Sequence, residues 1–270
     1  MRDDTEQMPD EQDRYIVPGL RRGLAILRLF NRDRTVVSVP EIVRELGISR
    51  ATAFRLAYTL EADGYLQRAP HSHAFRLGMG ALALGFEYLG SLDMVEIARP
   101  IVDDLRDRTD ASAHMGLLDG TEWVTVLRAP SRHRLRSPVT VGTRMPAHAT
   151  SIGRTLLMDK SLAELQAMYA GAALPAFSDQ TPTTVEALHR QLQIERARGY
   201  VASRSGYTHG IANVAAPVRD ADGRIVAGVN VSDHESLPAL MDLEGKTAAA
   251  VLAAAADIST GLGYRPRRAV

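Results

Sequence analysis

The sequence predicts an α+β chain: an N-terminal winged helix-turn-helix, a linker helix, and a C-terminal antiparallel sheet flanked by helices. Three observations predict it. Short helical periods bounded by capping residues and glycines run from Val39 to Gly64. The stretch Ala81 to Leu89 is helical but lacks a polar face. Alternating segments then pair across Asp-Gly turns, with helical stretches grouped between them. A chain of 270 residues is long enough for about two domains, at roughly 100–200 residues each.

Composition narrows the class. Hydrophobic residues at 45% and charged residues at 24% exclude a wholly disordered chain. The 32 basic and 32 acidic residues cancel. Cysteine is absent, which excludes a disulfide scaffold, thiolate catalysis and a cysteine-ligated zinc site. That usage suits a cytoplasmic location. No apolar run approaches the roughly 20 residues of a membrane span, so no membrane partner is expected. Residues 1–18 carry six acids and two arginines and read as a disordered acidic tail, not a signal peptide.

Residues 19–78 carry ten arginines against five acids, a local basic excess. Gly19 to Asn31 reads as a first helix with Leu20, Leu24, Leu27, Ala25 and Phe30 on its apolar face. Val39 to Leu46 is a second, with Ser38 as N-cap, Pro40 in its first turn and Gly47 as the left-handed stop. Ser49 caps a third, from Arg50 to Ala62, whose apolar set is Ala53, Phe54, Leu56, Ala57 and Leu60. Two helices across a short glycine turn make a helix-turn-helix. Tyr65 to Arg68 and His73 to Leu77 alternate as strands around Pro70-His71-Ser72, a wing.

In this geometry the third helix enters the major groove of double-stranded DNA. Ser49, Arg50, Thr52 and Arg55 lie on its first turn and a half, and Tyr58 follows one turn later. Arginine reads guanine bidentately, while hydroxyls more often hold phosphate. Arg21 and Arg22 would clamp the backbone, and Arg68 and Arg76 would flank the minor groove from the wing. Helix-turn-helix shapes also occur in domains that bind protein. The arginines at groove-facing positions favour DNA.

These segments resemble a known family. Gly23 to Leu27, Val39 to Leu56 and Thr59 to Leu66 look like the DNA-binding domain of IclR-type bacterial transcriptional regulators. The likeness continues through Arg76-Leu77-Gly78, Leu118-Asp119-Gly120, Val141 to Arg154, Arg198-Gly199-Tyr200, Val214 to Asp220 and Leu262-Gly263-Tyr264. The His148-Ala149-Thr150-Ser151-Ile152-Gly153-Arg154 version most resembles the branch that regulates breakdown of aromatic acids, such as protocatechuate and 4-hydroxybenzoate. The resemblance implies a GAF-like or profilin-like sheet, an operator as partner and a homodimer or a dimer of dimers. RNA polymerase is a further candidate partner.

The residues themselves divide as follows. Residues 79–92 form the linker helix, apolar on most sides, so it should pack against a second subunit. Residues 93–264 form the effector-binding and oligomerisation domain, and 265–270 a tail. Within it, helices are expected at 94–109, 149–158, 162–169 and 184–198, with a long closing helix from Leu240 to Leu262. Strands are expected at 114–118, 123–128, 201–204, 213–219 and 224–232. No G-x-S-x-G elbow, Walker A, G-x-G-x-x-G after a strand or H-E-x-x-H is present, so no enzyme constellation, cofactor or metal site is expected.

What remains is a polar pocket. By resemblance, an effector lies against the helix that follows the His-Ala-Thr-Ser stretch. Carried over, its contacts are the N–H groups of Ser151 and Ile152 and the side chains of Ser203, Asn213, Asn230 and Ser232. Physical chemistry agrees on the first, since helix N-termini favour a carboxylate. Asn230 and Ser232 share one strand face between valines, where they bond either a ligand or the domain's own backbone. Met145, Leu135 and Trp123 are apolar walls. Many family members are acidic where this chain has Ser203-Arg204-Ser205-Gly206. The loss of negative charge and the gain of Arg204 disfavour a glyoxylate or pyruvate effector and suit a carboxylate paired by arginine, with Tyr207 and His209 over a ring. The expected effector is therefore a small carboxylate, an aromatic acid from a catabolic pathway. A short keto acid, or a domain that only oligomerises, is the alternative.

Overall fold

The computed structural model describes residues 15–31, 33–133 and 139–265. The chain divides into two compact units, Met1–Ser91 and Leu92–Val270.

The first unit runs α1 (Pro18–Leu27), α2 (Val39–Leu46), α3 (Arg50–Ala62), β1 (Leu66–Arg68), β2 (Phe75–Leu77) and α4 (Met79–Gly90). The caps are those the sequence specifies. Ser38 Oγ accepts the Glu41 N–H, and the Glu41 carboxylate accepts the Ser38 N–H at 2.7 Å, a capping box. Gly47 ends α2 at φ 62°. Ser49 caps α3 through the Thr52 N–H at 3.2 Å. The core is Ile26, Val37, Ile42, Ala53, Ala57, Leu66 and Phe75. Two alanines on α3 let the helices approach closely. Val37 pairs with Phe75 through two backbone hydrogen bonds, 2.9 and 2.8 Å, which tie the segment before α2 to the wing.

Three expectations fail here. The first helix stops at Leu27, and Asn31 Oδ1 instead accepts the N–H groups of Asp33 and Arg34 in a turn. The buried stripe of α1 is Gly23 and Ile26 with Leu27, so Leu20 and Leu24 are 64% and 45% exposed. Phe54 is outside the core as well. Ala53 and Ala57 occupy the inward positions, and Phe54 stacks on Tyr58 at the surface, ring centroids 6.3 Å apart.

The second unit runs α5 (Asp93–Thr109), β3 (Ala113–Asp119), β4 (Glu122–Ala129), β5 (Arg144–Pro146), α6 (Ser151–Leu157), α7 (Leu162–Met168), α8 (Val185–Arg198), β6 (Val201–Arg204), β7 (Ile211–Arg219), β8 (Ile225–His234), α9 (Pro238–Met241) and α10 (Ala248–Gly261). Among the described residues, its strands form one antiparallel sheet in the order β5-β4-β3-β8-β7-β6. Val214, Ala216, Val229 and Val231 are buried on one face, next to α5 and α10, and α6 lies on the other. Burial on both faces is why β7 and β8 read as apolar runs. The closing helix is broken, contrary to expectation. The Asp242 carboxylate accepts the N–H groups of Gly245 and Lys246 at 3.1 and 3.0 Å, and Gly245 leaves helical geometry at ψ −108°.

Helix α6 is fixed by a buried ion pair. Arg154 Nε donates to both carboxylate oxygens of Glu195 on α8, at 2.9 and 3.2 Å, and Gln191 Nε2 donates to the same carboxylate at 2.9 Å. Both partners are almost fully buried. Removing one charge strands the other away from water. Glu195→Ala is expected to cost about 3–5 kcal/mol of stability, and Arg154→Leu with Glu195→Leu far less than the sum of the singles. Urea denaturation followed by circular dichroism measures both.

Candidate functional site

The basic residues of the first unit fall into two groups. Arg34 pairs with Glu41 and Glu45, and Arg44 with Glu45. Arg68 donates to Glu61 at 2.9 Å and to the His73 carbonyl at 3.1 Å, and its guanidinium sits 4.1 Å from the centroid of the Phe75 ring. Arg68 thus braces the wing against α3, and its charge is compensated inside the unit. The side chain expected on DNA is thus also engaged with Glu61 and the wing. Arg21, Arg22, Arg50, Arg55 and Arg76 are exposed, and among the described residues they have no ion pair. Arg28, at the other end of α1, is likewise exposed without an ion pair among the described residues, so unpaired positive charge lies at both ends of α1, on α3 and on β2. Tyr58 is exposed beside Arg55, and Phe54 joins it. Ser49 and Thr52 also bond each other, Oγ to Oγ1 at 2.9 Å, so part of their capacity is spent on the cap. Helix α4 buries none of its residues, and Met79, Leu82, Leu84, Phe86 and Tyr88 are all exposed.

In the second unit, register sorts the polar residues. Side chains alternate along a strand, and residues paired across strands share a face. One rung is Ser203–Asn213–Ser232 on β6, β7 and β8. The next is Ala215–Asn230–His114–Arg128 on β7, β8, β3 and β4. Trp123 and its partner Met145 lie on this same face, where Trp123, Ile152, Leu156 and Ala215 form an apolar cluster with Met145 against it.

Gly228 lets α6 sit directly on this face, and Gly153 lets it approach the segment after β5. A Cβ on Gly228 would come 3.2 Å from Ile152 Cγ2, and one on Gly153 only 2.3 Å from Ala147 Cα. The Trp123 indole N–H donates to Thr150 Oγ1 at 2.7 Å, and that hydroxyl donates to the Pro146 carbonyl at 2.9 Å. Thr150 is the N-cap of α6, yet its hydroxyl is occupied elsewhere, so no side chain caps the helix. The first-turn N–H groups, with Ser151 and Ile152 buried, form a positive helix end, and Ile152 clusters with Ala215, the strand partner of Asn230, and lies against Gly228.

Several polar atoms here are buried without a partner among the described residues: His114 Nε2, Asn213 Oδ1 and Thr125 Oγ1 on the sheet, and Thr155 Oγ1 on α6. Asn230 is held by His114, Oδ1 to Nδ1 3.2 Å. Burial pushes the His114 imidazole down to about 4, against the opposing effect of Asn230, so the ring is neutral at pH 7. Sequence reasoning missed His114. It stands alone between Ala113 and Met115, and only its register opposite Asn230 shows what it faces.

Arg204 does not join this group. It is one residue beyond Ser203 and so points to the opposite face, where it donates to the carbonyls of Leu240 and Met241 at 2.8 and 2.7 Å. It caps α9 and cannot pair a carboxylate over Asn213. Tyr207 packs on Phe177, ring centroids 4.7 Å apart. His209 is exposed in the same loop. Leu135 lies outside the described residues. Among the described residues no cluster of three or more histidine, aspartate or glutamate side chains could hold a metal ion. Among them, too, no helix is long and apolar enough to cross a membrane.

Known proteins match this organisation along nearly the whole chain. Residues 19–70 match the IclR helix-turn-helix domain, and residues 86–260 match the bacterial transcriptional regulator IclR C-terminal domain. The HTH-type transcriptional regulator XynR of Escherichia coli K12 is 32% identical over 80% of this chain and 86% of its own length. The Pca regulon regulatory protein of Pseudomonas putida is 30% identical over 91% and 84%. The crystal structure of an IclR homolog complexed with 4-hydroxybenzoate, from Microbacterium hydrocarbonoxydans, superposes with a TM-score of 0.78 at 26% identity, covering 90% of this chain and 98% of that one. With a winged helix-turn-helix and an antiparallel sheet domain both matched to the family's own, this chain belongs to the IclR family of DNA-binding transcriptional regulators.

Proposed function

We propose that the chain binds an operator as a dimer at least, and that a small carboxylic acid, aromatic in its apolar part, controls that binding. The observation that carries the effector reading is the uncapped, buried start of α6 over a face with Asn230, Ser232 and Asn213. Free N–H groups at a helix end take a carboxylate. Asn213, Asn230, Ser203 and Ser232 supply the few placed polar groups that fix orientation, and Trp123, Met145 and Ile152 supply apolar contact. The 4-hydroxybenzoate complex of the Microbacterium homolog supports an aromatic acid. Arg204, bonded on the other face, is not part of this reading.

For DNA, Arg50, Arg55, Phe54 and Tyr58 face the groove, with Arg21, Arg22 and Arg76 on phosphates. Arg55→Ala is expected to remove specific operator binding with the fold intact. A lost bidentate contact costs about 1–3 kcal/mol per half-site, and a dimer loses it twice. Footprinting checks this, and an unchanged footprint removes α3 from the interface. The exposed apolar α4 is the surface on which a second copy would pack, because pairing half-sites is the usual route to specificity.

Effector and operator communicate only if the ligand prefers one arrangement of the assembly, a coupling of about 1–3 kcal/mol. Asn230→Leu is expected to reduce effector affinity and response while operator affinity of the free protein stays near wild type. Calorimetry with benzoates and gel shifts measure the two. Lost DNA binding with normal effector affinity would make Asn230 a fold residue instead.

A further inference from the structure

We propose that His114 reads a hydroxyl group on the effector, so that the pocket selects hydroxylated carboxylic acids over their deoxy counterparts. This rests on the effector site proposed above. His114 is 1% exposed, at the centre of the sheet face that α6 covers. Its Nδ1 lies 3.2 Å from Asn230 Oδ1. An amide oxygen only accepts, so the ring proton is on Nδ1 and Nε2 carries a lone pair. The ring stays neutral because burial and the nearby Arg128 charge outweigh Asn230 and Asp233. Nε2 is therefore an acceptor, buried and without a partner among the described residues.

A carboxylate or keto oxygen has no proton to give it, and a hydroxyl has. Asn213 Oδ1 is a second buried acceptor without a partner on the same face, one rung away. The sheet thus offers two buried acceptors. With the carboxylate proposed above, the matching ligand carries at least one O–H. A ligand that leaves a buried acceptor unserved loses roughly 10-fold in affinity or more. Arg204 plays no part in this selection, since its guanidinium is on the opposite face.

The test pairs each acid with its deoxy form. The full chain is titrated calorimetrically with 3- and 4-hydroxybenzoate against benzoate, and with 3-hydroxybutyrate against butyrate. At least one hydroxylated acid should bind roughly 10-fold tighter or more than its partner. His114→Phe keeps a ring of similar size without Nε2. It should bind both members of that pair alike while circular dichroism and operator affinity stay unchanged. Equal binding of every pair by the wild type overturns the hydroxyl reading and leaves the carboxylate site standing. Discrimination that survives in the variant assigns the hydroxyl to another group and overturns the role of His114. Binding of none of these acids overturns both readings. Should the variant fail to fold, histidine ring 15N spectra of the wild type decide. The Nε2 resonance must move with the hydroxylated acid and not with its deoxy partner, and a resonance that moves with neither overturns the proposal.

Discussion

The buried pair Arg154–Glu195 locks α6 to α8 and so fixes where α6 begins above the sheet. Gly228 removes the side chain that would hold the helix off the sheet, Gly153 lets it close on the Ala147 backbone, and Trp123 takes the hydroxyl of Thr150, the residue that would otherwise cap it. The result is a buried helix end with no side-chain cap, over a sheet that carries buried polar side-chain atoms without a partner among the described residues. A chain that needed only to fold or to oligomerise would gain by satisfying those groups internally, because each buried polar atom without a partner is destabilising. Their survival in one place is the physical argument for a ligand.

The first unit follows a different logic, one of charge left over. Its glutamates neutralise Arg34, Arg44 and Arg68, which stiffen the α2 surface and the wing. Among the described residues, the arginines left without an ion pair lie at the two ends of α1, on α3 and on β2. The outer face of α3 also carries Phe54 and Tyr58, apolar surface suited to thymine methyl groups as well as to sugar edges.

Local signals in the sequence were legible where one residue type has one mechanical use. Ser38, Gly47 and Ser49 marked helix ends because capping and left-handed turns are local events. Asn230 and Ser232 were legible as a shared face because strand period is local too. What depended on tertiary register was not. Ser203 and Arg204 differ by one position, and only pairing with Asn213 and Ala212 decides which of them faces α6. Leu20, Leu24 and Phe54 read as core on hydrophobicity alone, yet Gly23, Ile26, Ala53 and Ala57 fill the inward positions. The break at Gly245 was hidden by helix formers on both sides. His114 carried no local signal, since its meaning lies in a partner far along the chain.

The central claim is that occupancy of the proposed effector site and occupancy of DNA are linked. Linkage is reciprocal, so the effector must sense the operator as strongly as the operator senses the effector. The most direct measurement is the affinity of the wild-type protein for 4-hydroxybenzoate, with and without saturating operator duplex. The account predicts that the two affinities differ by about 5- to 150-fold. Identical affinities in the two states would contradict it.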